Sequence, residues 1–241
     1  MTNPTNPALV DDIFTASWAI YRAIIEYDYL WHRAIEAGMR KLLDERFPGS
    51  TPIRFLDLAC GDAASTSLML RGRNITRYVG VDRSEPALAL AKEQVRELGG
   101  STEVIVSDYV EFLEQCRDEF DVIYVGLSAH HLGEPRLPQL FHAARPRLSS
   151  NGIFAAYEPF TLPDETRDEH IDRLCTTVER FYVRMPMEQR QQVIDHVRGN
   201  DFPIALARWN EIAADAGFSP ALRQVRTADR LYELVAHTPI G

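Results

Sequence analysis

Carboxylate side chains lie at the predicted ends of three successive β-strands, and their spacing could bind a small ligand. Asp57 lies within FLDLACGDAAST, Asp82 ends the stretch RYVGVD, and Asp108 follows TEVIVS. The carboxyl ends of parallel strands meet at one edge of a sheet, which is where ligands bind. Carboxylates accept hydrogen bonds and attract cations. The three acids together favour a nucleoside with a cationic tail, although each one alone could equally cap a helix or lie in a turn.

The loop after the first strand differs from a dinucleotide-binding loop. Such a loop has the pattern G-x-G-x-x-G, which lets the backbone approach a pyrophosphate. Here the pattern is D-x-A-x-G-x-A, with Ala59 and Ala63 on either side of the single glycine, Gly61. An acid at Asp57 would also repel a pyrophosphate. The ligand is therefore expected to have no pyrophosphate.

The second and third acids have the positions that a nucleoside requires. Asp82 lies 82 − 57 = 25 residues after Asp57 and is suited to accept hydrogen bonds from ribose hydroxyls. Asp108 can accept from an exocyclic adenine amine, and Tyr109 can lie against the adenine ring.

These motifs resemble those of the class I S-adenosylmethionine-dependent methyltransferases over about Ile53 to Phe160 and the terminal hairpin. The resemblance implies S-adenosylmethionine as cofactor, with the DLACGD loop around its methionyl and ribose parts, Asp82 on the ribose and Asp108 on the adenine amine. The commoner family pattern has glycine where this chain has Ala59 and Ala63. The full set of expected cofactor contacts is Asp57, Ala59, Cys60, Gly61, Asp82, Arg83, Asp108, Tyr109, Gly126 and Leu127.

Two adjacent histidines, His130 and His131, follow the fourth predicted strand in the stretch SAHHL. They are expected near the transferred methyl group, where a histidine could accept a proton from a hydroxyl or ammonium acceptor. Similar pairs occur in small-molecule members of the family. The alternative is that one packs under the loop while the other bonds to backbone. Glu158, at the end of the fifth strand, is interpreted as structural.

The elements that position these residues alternate between strand and helix. Strands are expected at IRFLDLA, RYVGVD, TEVIVSD, FDVIYVGL, IFAAYEPF, ALRQVRT and RLYELVAHT. Helices are expected from about Ala64, after an N-cap at Ser84, and from Glu134 to Leu148. This order predicts one α/β domain over residues 1–241, with a Rossmann-like, seven-stranded, mostly parallel sheet and an antiparallel terminal hairpin.

Two segments outside this alternation are expected to form a helical cap over the site. One is residues 10–47, read as one or two helices from Asp11 to about Arg46, and the other is a helical insertion over residues 161–201. In the family such additions determine the substrate, although aromatic residues at helical spacing more often pack between helices. The residues singled out are Trp18, Tyr21, Tyr27, Tyr29, Trp31, Arg167, His170, Tyr182, Arg184 and Met185.

Composition limits the classes of partner. The chain has 241 residues, with 26 Lys and Arg against 35 Asp and Glu, and no basic block that would indicate nucleic acid. The cysteines Cys60, Cys116 and Cys175 have no metal-like spacing, so no metal is expected. No apolar run reaches the roughly 20 residues of a membrane span, and no leader is recognised. A cytoplasmic protein with no membrane contact is expected, and its oligomeric state is left open.

The sequence therefore predicts a methyltransferase that transfers a methyl group to an oxygen or nitrogen of a small metabolite. Two alternatives remain open. An RNA or protein methyltransferase would need a basic or extended docking face, and a regulatory module would bind S-adenosylmethionine without catalysis.

Overall fold

The computed structural model of the chain describes residues 18–240. Its centre is a sheet with the strand order β3-β2-β1-β4-β5-β8-β7, in which β1 to β5 are parallel and β8 and β7 are antiparallel to their neighbours. An eighth, two-residue strand, β6, pairs with the end of β5. The predicted α/β class and the antiparallel terminal hairpin are confirmed. The strands are Ile53–Leu58, Ile75–Asp82, Ser101–Val106, Phe120–Gly126, Leu148–Thr161, Ile204–Ala205, Leu222–Arg226 and Tyr232–His237, numbered β1 to β8.

Nine helices are present among the described residues. In chain order, α1 to α9 are Trp18–Glu26, His32–Arg46, Ala64–Leu70, Glu85–Val95, Tyr109–Gln115, Leu137–Ala144, Arg167–Phe181, Met187–Asn200 and Leu206–Asp215. They cover both faces of the sheet, because alternate strand residues enter two separate apolar clusters. Phe55 and Tyr78 belong to one cluster, and Leu56 and Val79 belong to the other. A parallel sheet buried on both faces has this arrangement.

The register of the parallel strands aligns their carboxyl ends. Asp57 pairs with Gly80 on β2 and with Tyr124 on β4, and Gly126 pairs with Tyr157 on β5. The loops that follow β1, β2, β4 and β5 therefore begin at one edge of the sheet.

The amino-terminal segment forms two helices rather than one. Between α1 and α2 the chain turns at Asp28 and Trp31, which have φ of 56° and 64°. The Trp31 indole Nε1 donates to Asp229 Oδ2 at 2.7 Å, which joins this turn to the terminal hairpin. The beginning of the predicted helix at Asp11 and the side chain of Trp18 lie outside the described residues.

Helix α6 is shorter than the sequence predicted. The expectation of a helix from Glu134 to Leu148 is wrong at both ends, because α6 runs over Leu137–Ala144 and β5 begins at Leu148. Pro138 lies in the first turn of α6, where its missing N–H is tolerated. Pro146 cannot donate the next helical hydrogen bond, so the chain continues there as a short 3₁₀ turn.

No helix within residues 18–240 combines the length and the apolar character needed to cross a membrane.

Candidate active site

A cavity of about 250 Å³ lies at the carboxyl edge of the sheet. Its walls come from the loops after β1, β2 and β4 on one side and from α1, α7 and α8 on the other. The sheet-side residues include Ala59, Gly61, Asp82, Arg83, Ser84, Tyr109, Gly126, Leu127, His130 and His131, and the opposite wall includes Ile20, Tyr21, Ile24, Leu174, Val178, Tyr182, Val193, His196 and Val197. The cavity is therefore mostly apolar, with polar groups concentrated on the sheet side.

The loop after β1 has a left-handed backbone at three positions. Ala59, Gly61 and Ala63 have φ of 53°, 54° and 55°. A Cβ added to Gly61 would meet no atom within 4 Å, so the protein leaves space beside this residue. The two alanines carry the strain that a Cβ causes in this region. Glycine is therefore retained where the backbone faces open space and is replaced at the other two positions.

Asp82 fixes this loop to the end of β2. Its Oδ2 accepts a hydrogen bond from the Gly61 backbone N–H at 2.8 Å, and its Oδ1 accepts from the Ser84 N–H at 2.8 Å. The Ser84 hydroxyl then accepts from the Ala87 N–H and caps α4, so the predicted N-cap is confirmed. Asp82 also lines the main cavity.

Asp57 is buried beneath the loop. Its Oδ2 accepts a hydrogen bond from the Tyr78 hydroxyl at 2.8 Å. Burial disfavours the carboxylate and raises the pKa of Asp57 to about 7, despite hydrogen bonds from Thr66 and Tyr78. Asp57 and Cys60 line a smaller adjoining cavity of about 40 Å³ rather than the main one. Burial also raises the pKa of the Cys60 thiol, so this cysteine is not a reactive thiolate.

Asp108 is a helix cap. Its Oδ1 accepts hydrogen bonds from the Val110 and Glu111 N–H groups at 2.9 and 3.2 Å. It lines neither cavity, whereas its neighbour Tyr109 lines the main one. Of the pair expected to contact adenine, the structure places only the tyrosine in the cavity.

Gly126 and Leu127 form the floor between the two ends of the cavity. A Cβ on Gly126 would come within 2.8 Å of the Tyr124 hydroxyl, so that ring occupies the space a larger residue would need. Leu127 has φ of 53°, and its N–H donates to the Tyr157 carbonyl at 2.7 Å. This turn directs the chain from β4 into the histidine segment.

Glu158 holds the histidine segment in place. Its Oε1 accepts from the Ser128 and Ala129 N–H groups, and its Oε2 accepts from the His130 N–H. The same Oε2 lies 2.6 Å from His130 Nδ1. Burial disfavours the imidazolium, but Asp201 and Glu158 outweigh burial and raise the pKa of His130 to about 10. A protonated His130 donates hydrogen bonds at neutral pH, so the expected role of general base does not fit it.

His131 differs from its neighbour in charge. Burial and the charge of His130 lower the pKa of His131 to about 3, so its ring is neutral. Its Nδ1 lies 3.0 Å from the Asn200 carbonyl. The ring centroids of the two histidines are 4.0 Å apart. The pair thus offers a cationic donor beside a neutral imidazole.

The structure adds Asp201 and His196, which the sequence did not single out. Asp201 Oδ1 lies 3.6 Å from His130 Nε2, 3.6 Å from His131 Nδ1 and 3.9 Å from His196 Nε2. Burial alone would raise the pKa of Asp201. Neighbouring groups, chiefly the charge of His130, outweigh burial and lower this pKa below its usual range. His196 lies on α8 and Asp201 follows its last turn. No motif in the sequence indicates this contact, because it depends on how the insertion packs.

The cofactor end fits S-adenosylmethionine by its chemistry. Gly61 leaves open space beside a backbone in the left-handed region. Asp82 provides hydrogen-bond acceptors at the strand end, and Tyr109 and Ala87 provide apolar surface for a base.

Comparisons with known proteins agree with this geometry. A family model described as a methyltransferase domain matches residues 55–152. A curated relative, carboxy-S-adenosyl-L-methionine synthase of Campylobacter concisus, is 26% identical over 181 residues, which are 74% of each chain.

Two solved structures share the fold over nearly the whole chain. The plantazolicin methyltransferase BpumL, in complex with SAH and a monoazolic desmethylPZN analog, has a TM-score of 0.65 at 14% identity and covers 97% of this chain and 95% of its own. An S-adenosylmethionine-dependent methyltransferase from Clostridium acetobutylicum has a TM-score of 0.63 at 13% identity, covering 95% and 99%. Residues 55–152 of the chain thus match a methyltransferase domain, and the chain shares its fold with these two methyltransferases.

Proposed function

We propose that this methyltransferase transfers the methyl group of S-adenosylmethionine to an oxygen or nitrogen of a small metabolite. The observation that carries the proposal is the cavity. It is about 250 Å³ in volume, mostly apolar, and continues from Gly61 and Asp82 to the histidine pair. A site of this kind suits a small acceptor with one polar group, since small-molecule sites are mainly apolar with a few placed polar atoms.

At the cofactor end, Asp82 accepts from the ribose hydroxyls and Tyr109 packs against the adenine. Gly61 allows the methionyl part to approach the backbone. When bound, S-adenosylmethionine supplies a methyl group on a sulfonium, and the protein aligns the acceptor with it. Ala59, Arg83, Gly126 and Leu127 line the same cavity and belong to the same proposal, in which Asp57, Cys60 and Asp108 shape the surrounding loops.

At the acceptor end, the polar atom of the metabolite lies against His130 and His131. His130 donates and is fixed by Glu158, and His131 provides a neutral imidazole that orients the acceptor or takes its proton. The roles of the two histidines are therefore different.

The helices on the opposite side of the cavity close the site. Tyr182, which directly follows α7, stacks on Tyr29 with ring centroids 4.0 Å apart, and its hydroxyl donates to the Tyr29 carbonyl at 3.2 Å. The Tyr157 hydroxyl donates to the Leu30 carbonyl. We propose that these contacts exclude water from the reacting atoms and that the apolar side chains of α1, α7 and α8 select the acceptor. The three free cysteines and the acidic charge support a cytoplasmic protein that does not act on nucleic acid.

One relative supports a second candidate. The similarity to carboxy-S-adenosyl-L-methionine synthase extends over about three quarters of the chain. A product of that kind would be a modified cofactor and not a methylated acceptor. Mass spectrometry of the nucleoside released from the denatured protein distinguishes S-adenosylmethionine, its demethylated product and a carboxylated form.

The decisive experiment is incubation of the purified chain with methyl-labelled S-adenosylmethionine and a metabolite extract, followed by mass identification of labelled products. A labelled small molecule, absent with an Asp82→Ala variant, is expected. Label only in RNA or protein fractions would contradict the proposal, and cofactor binding without any labelled product would favour a regulatory module.

A further inference from the structure

Asp201 carries a buried oxygen with no hydrogen-bond partner among the described residues. This atom is Oδ1, and the side chain that bears it is 9% exposed. A buried carboxylate oxygen without a donor is costly, so its surroundings require an explanation. The nearest polar atoms belong to histidines that line the same cavity.

The distances around this oxygen are too long for hydrogen bonds and too short for a bridging water. His130 Nε2 and His131 Nδ1 each lie 3.6 Å from Asp201 Oδ1. A water hydrogen-bonded at ~2.8 Å to two atoms at a tetrahedral angle would hold them roughly 4.6 Å apart. An ion bound at ~2.1 Å to each atom would hold them roughly 3.4 Å apart. The observed separations match the ion better.

The ring nitrogens and the carboxylate also form a suitable ligand set. One atom each from His130, His131 and Asp201 lies within 4.8 Å of the others. We propose that these three residues bind a divalent first-row transition metal ion, such as Zn²⁺, in the cavity. Two imidazoles and one carboxylate are a set that such ions accept, with positions left open for a further ligand.

Contacts outside the ligand set orient it in the manner of metal sites. A metal-bound histidine commonly donates its second ring N–H to a carboxylate or a backbone carbonyl. His130 Nδ1 lies 2.6 Å from Glu158 Oε2, which leaves Nε2 of His130, the atom 3.6 Å from Asp201 Oδ1, as its ligand atom. His131 presents Nδ1 to Asp201 Oδ1 at 3.6 Å and would bind the ion through that atom, exchanging its 3.0 Å contact with the Asn200 carbonyl for the ion.

The backbone holds the two contributing segments together. The Phe202 N–H donates to the His130 carbonyl at 3.2 Å, and Arg167 Nε donates to the Asp201 carbonyl at 2.8 Å. Asp201 is thus fixed beside the histidines through residues on both sides of the site, as a preformed site requires.

The role of the ion deepens the proposed function and rests on it. With the ion bound, His130 gives up its proton and both histidines serve as ligands instead of contacting the acceptor, whose polar atom would then bind the ion directly. A bound cation lowers the pKa of a ligating hydroxyl or amine and fixes its position. The binding of the ion itself does not depend on the proposed function.

The test measures metal without cofactor or activity. The full chain is stripped with a chelator, equilibrated with excess Zn²⁺, desalted and analysed for metal content, and its affinity is measured by competition with a chromogenic chelator. We expect one tightly held ion per chain. The variants Asp201→Asn and His131→Gln should weaken binding by more than tenfold. Glu158→Gln, which keeps all three ligands, should weaken it roughly 10- to 100-fold.

His142→Ala is the matched control, because this histidine is exposed on α6. It should retain the ion and its affinity. Substoichiometric metal in the wild-type chain, or unchanged affinity in a folded Asp201→Asn variant, would overturn the proposal. If the ligand variants do not fold, Zn²⁺ must still raise the melting temperature of the wild-type chain. The absence of such a shift would also overturn the proposal. Metal binding without methyl transfer would contradict only the proposed function.

Discussion

Asp82 combines two tasks at the scale of a single residue, because it orders the loop after β1 and offers acceptors to the cofactor. Replacing it by alanine removes the partner of the Gly61 and Ser84 N–H groups. We expect Asp82→Ala to weaken S-adenosylmethionine binding by about 1–3 kcal/mol, or roughly 5- to 150-fold. Calorimetric titration measures this. Asp118→Ala, which alters only a surface ion pair with Arg77, should bind normally. Unchanged affinity in folded Asp82→Ala would reject the assignment.

The left-handed residues of the loop give a second prediction. A Cβ added at Gly61 meets no atom of the protein within 4 Å, so a loss of cofactor affinity in Gly61→Val beyond the effect of backbone strain reports a ligand in that space. Ala59→Gly relieves a positive φ and should raise the unfolding free energy by up to ~1 kcal/mol, with nearly unchanged S-adenosylmethionine binding. Urea unfolding and dissociation constants of the two variants check this. Equal effects of both substitutions on binding would contradict it.

The buried carboxyl of Asp57 predicts a dependence of stability on pH. Its pKa is raised by burial to about 7, so the folded state retains the proton that the unfolded state loses near pH 4. The stabilisation from this group is complete below pH 4 and is lost as the pH rises through 7. Asp57→Asn should remove it, so wild-type stability relative to the variant should fall by on the order of 1–4 kcal/mol from acid to pH 8. Urea unfolding of the wild-type chain and of Asp57→Asn at several pH values measures this difference in stability. A difference that stays constant with pH would contradict the prediction.

At the scale of elements, the contact between the α1–α2 turn and α7 determines whether the cavity is closed. Tyr182 is buried and stacks on Tyr29 with an interplanar angle of 6°. Tyr182→Ala should lower the unfolding free energy by about 3–5 kcal/mol, as for other buried aromatic residues. The control is Phe181→Ala, one residue earlier and 65% exposed, which should change stability by less than about 0.5 kcal/mol. Comparable losses in both variants would show that α7 does not pack as described.

The boundaries of elements were predicted well where local chemistry determines them. Ser84 caps α4 because its hydroxyl accepts a hydrogen bond from a backbone N–H of the first helical turn. This preference is local, so the sequence alone predicts the cap. The predicted helix at α6 extended too far because apolar residues continue at helical spacing through Pro146. The proline breaks the helical hydrogen bonding, so the chain forms a 3₁₀ turn there. The sequence left open whether the amino-terminal segment forms one or two helices, and it did not locate the turn between α1 and α2. This turn depends on positive φ at Asp28 and Trp31, and the contact of Trp31 with a distant strand stabilises it.

At the scale of the whole molecule, strand and helix alternation was enough to predict the sheet, whereas only Asp82 of the three acids at strand ends lines the main cavity. The acceptor end was only partly predictable. His130 and His131 line the cavity, but their opposite protonation depends on Glu158 and Asp201. Asp201 is 201 − 130 = 71 residues from His130 in the chain, and no spacing rule connects them. Such contacts are set by tertiary packing, which a periodic pattern does not encode.

The position of β8 has a consequence for how the protein is made. This strand, Tyr232–His237, lies between β5 and β7, so it is synthesised after both of its neighbours and is inserted between them. Until it emerges from the ribosome, β5 has an unpaired edge, which exposes the nascent chain to aggregation. The Trp31 contact to Asp229 spans 198 residues and forms equally late. Because the cavity is lined by residues as far apart in the chain as Ile20 and Tyr232, its ligands can stabilise only a chain in which β8 has joined the sheet.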